Sequence, residues 1–474
     1  MNRGITAAIA VFSCAAFSAA LCSGELVAGS RVSSSDESPT TAAAAPKAFP
    51  KAFPIERPLA LDDLITVALE NNPDLRIATE RIGEAQARLG EAMSAFYPRL
   101  KTRVAYEYTD NPALAFSMIV SQRRFSPDSN INHPGGTTNF RPEIVGTYSL
   151  YRGGQDYQRG KAVELGVEVS ALERGSIRNQ LIQMVSSTYY GYLAAQAALA
   201  VAERSIEAVQ SQLKQTRIRY ETGTTLKSDV LSIEVQLAEV RDAQIKAANA
   251  VELAYTAIKR LLGLPVDQPL AVARLTNPPI PRSPATLDDL IAQSLKQRPE
   301  VEAAARQIDM RVSELKMARG AHLPKADAFV SYGQDSRNPG FSTAKDNLSA
   351  GVAVELELFS GFETSERVVA AERKLVQARE AERRVRLGVE SEVKAAYLTL
   401  QEALERIQVT KASVQAAEEA LRLVTLQWQA GTVTVTRYID ANVDRDQAHS
   451  LAIAARYDAL RAEVGLKKAT GVWR

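Results

Sequence analysis

Cysteine is almost missing: among 474 residues only Cys14 and Cys22 carry a thiol. Both sit at the very start, so the body of the chain has no pair to close a disulfide and no thiolate to hold a metal. Histidine is nearly as scarce, and His133, His322 and His449 lie far apart in sequence, which argues against a metal site. Neither sign of charge prevails: 57 Lys and Arg against 55 Asp and Glu leave a net +2, without the basic excess of a nucleic-acid surface. Aromatics make up only 6% of the chain, which suits long Ala-rich helices better than a conventional globular core. No nucleophile elbow, phosphate-cradling glycine loop or paired-acid site stands out. The sequence therefore predicts no enzyme, no catalytic residue, no cofactor and no metal. After the first residues no apolar run approaches the ~20 residues of a transmembrane helix.

What is present starts with a leader. Asn2-Arg3 give a short basic start, residues 5–20 an apolar run, and Ser18-Ala19-Ala20 a small-residue cleavage site, so residues 1–20 are predicted to be a signal peptide. Cys22 is a poor candidate for lipid modification, because Leu21 stands where a small residue is expected. Residues 21–58, rich in Ser, Ala and Pro and carrying a tandem Lys-Ala-Phe-Pro, are predicted to be a disordered tether.

The rest is written twice. Leu61-Asp62-Asp63-Leu64-Ile65 returns 226 residues later as Leu287-Asp288-Asp289-Leu290-Ile291, and Pro73 and Pro98 meet Pro299 and Pro324 at the same offset. Further on the offset is 208. Leu150-Tyr151-Arg152-Gly153-Gly154 then aligns with Leu358-Phe359-Ser360-Gly361-Phe362, and Gly223-Thr224 with Gly431-Thr432. The first copy thus holds 18 extra residues between Tyr108 and Ile144. Two repeats follow, 59–284 and 285–474, each reading helix, strand, loop, strand, long helix, turn, helix, with residues 264–284 as a belt between them.

Four segments alternate with period two: 99–108, 143–151, 325–334 and 347–359. They are near the length of a transmembrane β-strand and carry tyrosines towards their ends. A chain without apolar helices crosses a bilayer only as a closed barrel, and four strands cannot close one, so several copies must contribute strands. The connections 110–141 and 335–346 read as exposed loops.

No proline interrupts residues 155–220 or 364–428. Helices predicted at 155–222 and 363–430 would each reach roughly 100 Å. Val185, Tyr192, Leu199, Ile206, Leu213 and Tyr220 fall every seven residues, as do Val393, Leu400, Ile407, Val414, Leu421 and Trp428. Small residues mostly follow three positions later, a coiled-coil pattern that permits close helix approach. Shorter helices are predicted at about 60–95, 228–263, 286–319 and 437–470.

This order of elements resembles the TolC-like outer-membrane factor family. The resemblance rests on the repeated Leu-Asp-Asp-Leu-Ile starts with Asn71-Asn72-Pro73-Asp74 and Arg298-Pro299-Glu300. It rests also on the Leu150-Tyr151-Arg152-Gly153-Gly154 bend and on Arg219-Tyr220-Glu221-Thr222-Gly223. It implies a mainly α protein with membrane β: four strands per protomer, twelve in a homotrimer, forming an outer-membrane β-barrel that continues into a periplasmic α-helical barrel. The implied function is a passive export duct of a tripartite efflux or type I secretion system. Its implied partners are outer-membrane lipid, a periplasmic adaptor and an inner-membrane transporter of RND or ABC type.

The resemblance also implies site residues. Asp229, Arg437 and Asp440 would form the periplasmic entrance, where Arg437 stands in place of a family acid and speaks against a purely acidic ring. For Asp229 a plain helix cap competes with the gate role, with Ser228 a rival cap. Gly223, Thr224, Thr225, Gly431, Thr432 and Val433 would be adaptor-docking tips, and Gly153, Gly154 and Gly361 strand-to-helix bends. The competing reading is a periplasmic coiled-coil scaffold or adaptor without a pore.

Overall fold

The structure, a computed structural model, describes residues 58–275, 279–282 and 284–473. The predicted leader, and the tether up to its last residue, lie outside them.

The first repeat opens with α1 (Leu61–Asn71) and α2 (Pro73–Met93), and the second with α6 (Leu287–Gln297) and α7 (Pro299–Gly320). One continuous helix was expected in each place. The chain instead steps at Asn72 and Arg298, both extended, because the residue before a proline is pushed out of the helical region while the proline suits a helix start. The two equivalent steps are held differently. Asn72 accepts from the amides of Asp74 and Leu75 (2.9 and 3.3 Å) and donates to the Leu261 carbonyl. Arg298, buried, donates instead to Glu300 and Glu392 (3.2 and 2.5 Å), and Lys468 also reaches Glu392 (2.5 Å).

The strands β1 (Arg99–Thr109), β2 (Thr137–Arg152), β3 (Lys325–Gln334) and β4 (Asp346–Glu355) form one antiparallel sheet in chain order. Two bounds differ from expectation by more than one residue. β2 begins at Thr137 rather than 143, because Thr137 to Pro142 pair with Thr109 to Val104 of β1. β4 stops at Glu355 rather than 359, because its partner β3 begins at Lys325, after Pro324, which has no N–H for the ladder. The stretch between β1 and β2, expected to be a loop, contains a helix, α3 (Pro112–Ser121).

Each repeat then carries a 67-residue helix, α4 (Gln155–Glu221) and α8 (Glu363–Gln429), about 100 Å long at ~1.5 Å per residue. Each folds back into a shorter one, α5 (Lys227–Leu261) and α9 (Val435–Thr470). The seven-residue rows are the packing surface over much of their length. Val185 and Val393 are 2% and 0% exposed, whereas Tyr220, at the end of its row, is 45% exposed.

The main core lies at mid-height, where Leu64, Ala68 and Leu75 meet Leu181, Val185 and Tyr189 of α4, Ile258 of α5 and Leu460 of α9. The connection after α5 docks there: Val272 bridges Leu59, and Tyr255 Oη donates to the Leu270 carbonyl (2.8 Å). A second cluster, nearer the α4–α5 turn, joins Leu213, Ile233, Leu237 and Val435. Among the described residues no helix is long and apolar enough to cross a membrane.

Candidate functional site

The sheet has two chemically distinct faces. In register, Leu100, Val104 and Tyr106 of β1 share a face with Ile144 of β2, Val330 and Tyr332 of β3, and Leu348, Val352 and Val354 of β4. Those large apolar side chains are exposed. The opposite face carries Lys101, Arg103 and Glu107, then Arg141 and Glu143, then Asp327 and Ser331, then Ser349 and Asn347. Arg103 and Glu143, paired across the ladder, approach to 3.9 Å, and Arg152 and Asp327 to 3.6 Å. An apolar face and a charged face on one sheet suit lipid outside and water within. Val145 and Phe329 interrupt the polar face, Phe329 with the larger side chain. Its ring covers Gly351 directly opposite, where a Cβ would collide with it. At the loop end, buried Asp335 accepts from Asn139 Nδ2 (2.5 Å), Arg141 Nε (2.8 Å) and Asn347 Nδ2 (2.9 Å), tying β2, β3 and β4 together.

Where strand turns into long helix, Gly153 and Gly154 take φ of +62° and +73°. A Cβ on Gly153 would collide with the Gly320 carbonyl, so this crossing of two backbones requires glycine. In the second repeat Gly361 takes +62°, but Phe362 takes +69° with a full side chain, its ring edge-on to Phe359 at 5.5 Å.

At the far end the long helices turn. Gly223 and Gly431, in left-handed conformation, end α4 and α8, with Thr224 N donating to the Arg219 carbonyl (2.8 Å) and Thr432 N to that of Gln427 (2.9 Å). Gly223, Thr224, Gly431 and Thr432 are exposed, and Thr225 and Val433 half-buried. The cap of α5 is neither Ser228 nor Asp229 but Leu226. Asp229, three residues on, accepts from the Leu226 amide (3.3 Å) and the Thr225 hydroxyl (2.6 Å), so its carboxylate turns back onto its own hairpin. On the second hairpin Thr434 caps α9, accepting from the Arg437 amide (3.3 Å), while the side chains of Arg437 and Asp440 are exposed.

One tip contact escaped the sequence reading. The Arg219 guanidinium lies 4.3 Å from the centre of the Trp428 ring, and Tyr438 stacks on Trp428 with centroids 5.2 Å apart. Trp428 is 7% exposed, and its two contacts brace α4 of one hairpin to α8 and α9 of the other. The only signal in sequence was a Trp closing the second seven-residue row where the first ends in Tyr220. The histidines do not converge: His133 lies between α3 and β2, His322 before β3, and His449 pairs with Glu418 (3.0 Å). Among the described residues no group of three or more His, Cys, Asp or Glu is placed to hold a metal.

A sheet with one lipid-compatible face, set on helices of about 100 Å, is the geometry of a membrane-anchored tunnel. The sequence matches the family described as "Outer membrane efflux protein" over residues 64–264 and 290–472, one match in each repeat. The chain belongs to the outer membrane efflux protein family. It is 23% identical to the outer membrane protein TolC of Vibrio cholerae over 416 residues, 87% of this chain and 90% of the relative. It is 25% identical to the pyoverdine export outer membrane protein OpmQ of Pseudomonas putida over 428 residues, 87% and 85%. Among solved structures, a membrane protein from Pseudomonas aeruginosa superposes with a TM-score of 0.76 at 21% identity, covering 87% of this chain and 93% of that one. The Campylobacter jejuni CmeC outer membrane channel gives 0.73 at 17% identity, covering 87% and 85%. This efflux protein is an outer-membrane export channel whose strands are its share of a β-barrel and whose helices form the periplasmic part. Nothing in the fold or the comparisons favours the pore-less scaffold.

Proposed function

We propose that three copies assemble into a passive duct, a twelve-stranded barrel above a helical tunnel, which receives cargo from an inner-membrane transporter of RND or ABC type through a periplasmic adaptor. The observation that carries this reading is a row of unsatisfied side chains on α8. Val376, Leu387, Leu398 and Val409 recur every eleven residues and are 49, 56, 51 and 69% exposed. An eleven-residue spacing keeps one straight stripe on a helix, here about 50 Å long. A single chain leaves it bare, and the outer edges of β1 and β4 are bare as well. Neighbouring copies cover both. The curated relatives include export proteins by name, and the work of transport belongs to the partner pump, with no catalytic step in this chain.

The tips serve as entrance and docking surface. Three copies gather Arg437 and Asp440 into a mixed ring of charge, with Asp229 holding the shape of the first hairpin beside it. The exposed turns 223–225 and 431–433 offer grooves for the adaptor, and the Arg219–Trp428–Tyr438 stack keeps the two hairpins of a protomer together in the closed state.

Single-channel recording of the purified protein in a planar bilayer tests this. A small, steady conductance that widens when Trp428 is replaced by Ala supports a gated duct. A protein that opens no channel at any concentration overturns it.

A further inference from the structure

The second repeat has no counterpart to α3. Its sequence, Pro112 to Ser121, carries no charge. Asn111 caps it, accepting from the amides of Ala113 and Leu114 (3.1 and 3.3 Å), so the helix has a defined start although it stands in a connection. Its far end is anchored more firmly. Gln122, 0% exposed, donates through Nε2 to the Thr138 carbonyl (2.7 Å) and to Asn139 Oδ1 (3.0 Å). Asn139 belongs to the charged face of the sheet and continues into the Asp335 network. Next to Gln122, Arg123 takes a left-handed φ of +55°, a conformation costly for a side chain of that size, and its guanidinium reaches the Asp346 carbonyl at the start of β4 (2.9 Å). The insert therefore begins at β1, is pinned over the charged face of β2 and reaches across to β4, leaving Thr137 and Asn139 buried under it. Met118 and Ala115 are buried, while Leu114 and Val120 stay about half exposed.

We propose that residues 112–124 form a strap folded into the lumen at the outer mouth, where three apolar helices narrow an otherwise charged passage. The inference rests on the trimeric barrel reading above. An apolar ring in a polar channel lowers flow by repelling water as well as by its bulk. The position follows from the sheet: the face that Gln122 grips is the one bearing Arg103, Arg141 and Glu143, which cannot face lipid. The absence of the insert from the second repeat means one strap per protomer, three per duct.

The test uses the full chain. Leu114→Cys protein in a planar bilayer is treated with a charged, bulky thiol reagent, with wild type treated alike and Val352→Cys, on the lipid face of β4, as controls. The strap predicts a stepwise fall in conductance, at least about twofold in total, for Leu114→Cys alone. Modification of Leu114→Cys, seen as a mass increase, with unchanged conductance would place α3 outside the lumen and overturn the strap while leaving the duct intact. Gln122→Ala provides the second arm: release of the strap raises conductance or its fluctuation, and an unchanged trace contradicts it. A wild type that opens no channel removes the duct reading itself.

Discussion

The guanidinium of Arg219 rests on the indole of Trp428, 209 residues further along the chain, and the ring of Tyr438 stacks on that indole as well. The contact crosses from the end of α4 to the end of α8, so it joins the two hairpins proposed to frame the entrance. A cation over an aromatic face contributes about 0.5–1 kcal/mol when exposed and more when desolvated, and an aromatic pair a similar amount.

Trp428→Ala removes both contacts at once. The expected outcome is a higher resting conductance of reconstituted channels together with a lower melting temperature, because Trp428 is buried and a buried Trp→Ala change costs about 3–5 kcal/mol. Arg219→Lys, which keeps the charge but lacks the flat stacking surface, is expected to show a smaller rise in the same recordings.

The two charges proposed for the entrance are separable. Arg437→Ala leaves Asp440 as the exposed acid and shifts the reversal potential in a KCl gradient towards cation preference, while Asp440→Ala shifts it the opposite way. Asp229→Asn weakens a capping contact instead. It costs about 0.5–1 kcal/mol of stability and leaves selectivity near that of wild type.

Arg298→Ala takes the cation from Glu300 and leaves Glu392 with Lys468 alone. Burial alone would push Glu300 up, but hydrogen bonds from Arg298 and Ser176 hold it below the ordinary value of 4.5. For Glu392 burial again pushes up, and Lys468 and Arg298 bring it below that value. A carboxylate lowered on folding adds stability above its unfolded value and loses it as pH falls through the folded one. The variant is therefore expected to be less stable than wild type by about 2–3 kcal/mol at pH 7, discounted for the partial exposure of both carboxylates. That difference shrinks as the pH drops below 4.5, and thermal melts across pH measure it.

The two bends respond oppositely to substitution. Gly153→Ala forces a Cβ into the Gly320 carbonyl and is expected to lose over about 2 kcal/mol, seen as a drop in melting temperature and in assembled yield. Phe362→Gly relieves a left-handed conformation worth about 1–2 kcal/mol of strain, and leaves the backbone path unchanged.

Much of this architecture could be read from the sequence because it is local and repeated. The alternation at Lys325–Gln334 marks β3, and the proline-free stretches mark α4 and α8. The step at Asn72–Pro73 was missed although its signal is local, a capping Asn followed by Pro at a helix start. α3 was not legible: it is apolar on every side, so it has no helical periodicity, and its Asn-, Pro- and Gly-rich surroundings read as loop. The Arg219–Trp428 contact and the Arg298 network join residues far apart in the chain, and local pattern carries no information about which distant ion or ring a side chain will meet. Asp229, matched to a gate by resemblance, also accepts from the Leu226 amide at the start of its own helix, a capping role that the sequence offered beside the gate.

The central claim is that one chain supplies a third of a barrel. The mass of the detergent-solubilised protein, corrected for bound detergent, tests it most directly, with Leu387→Arg/Leu398→Arg as the partner variant. Three chains for wild type, falling to one when the α8 stripe is charged, is the predicted result. A wild-type particle of one chain, inserted in the membrane and unchanged by the double substitution, would contradict it.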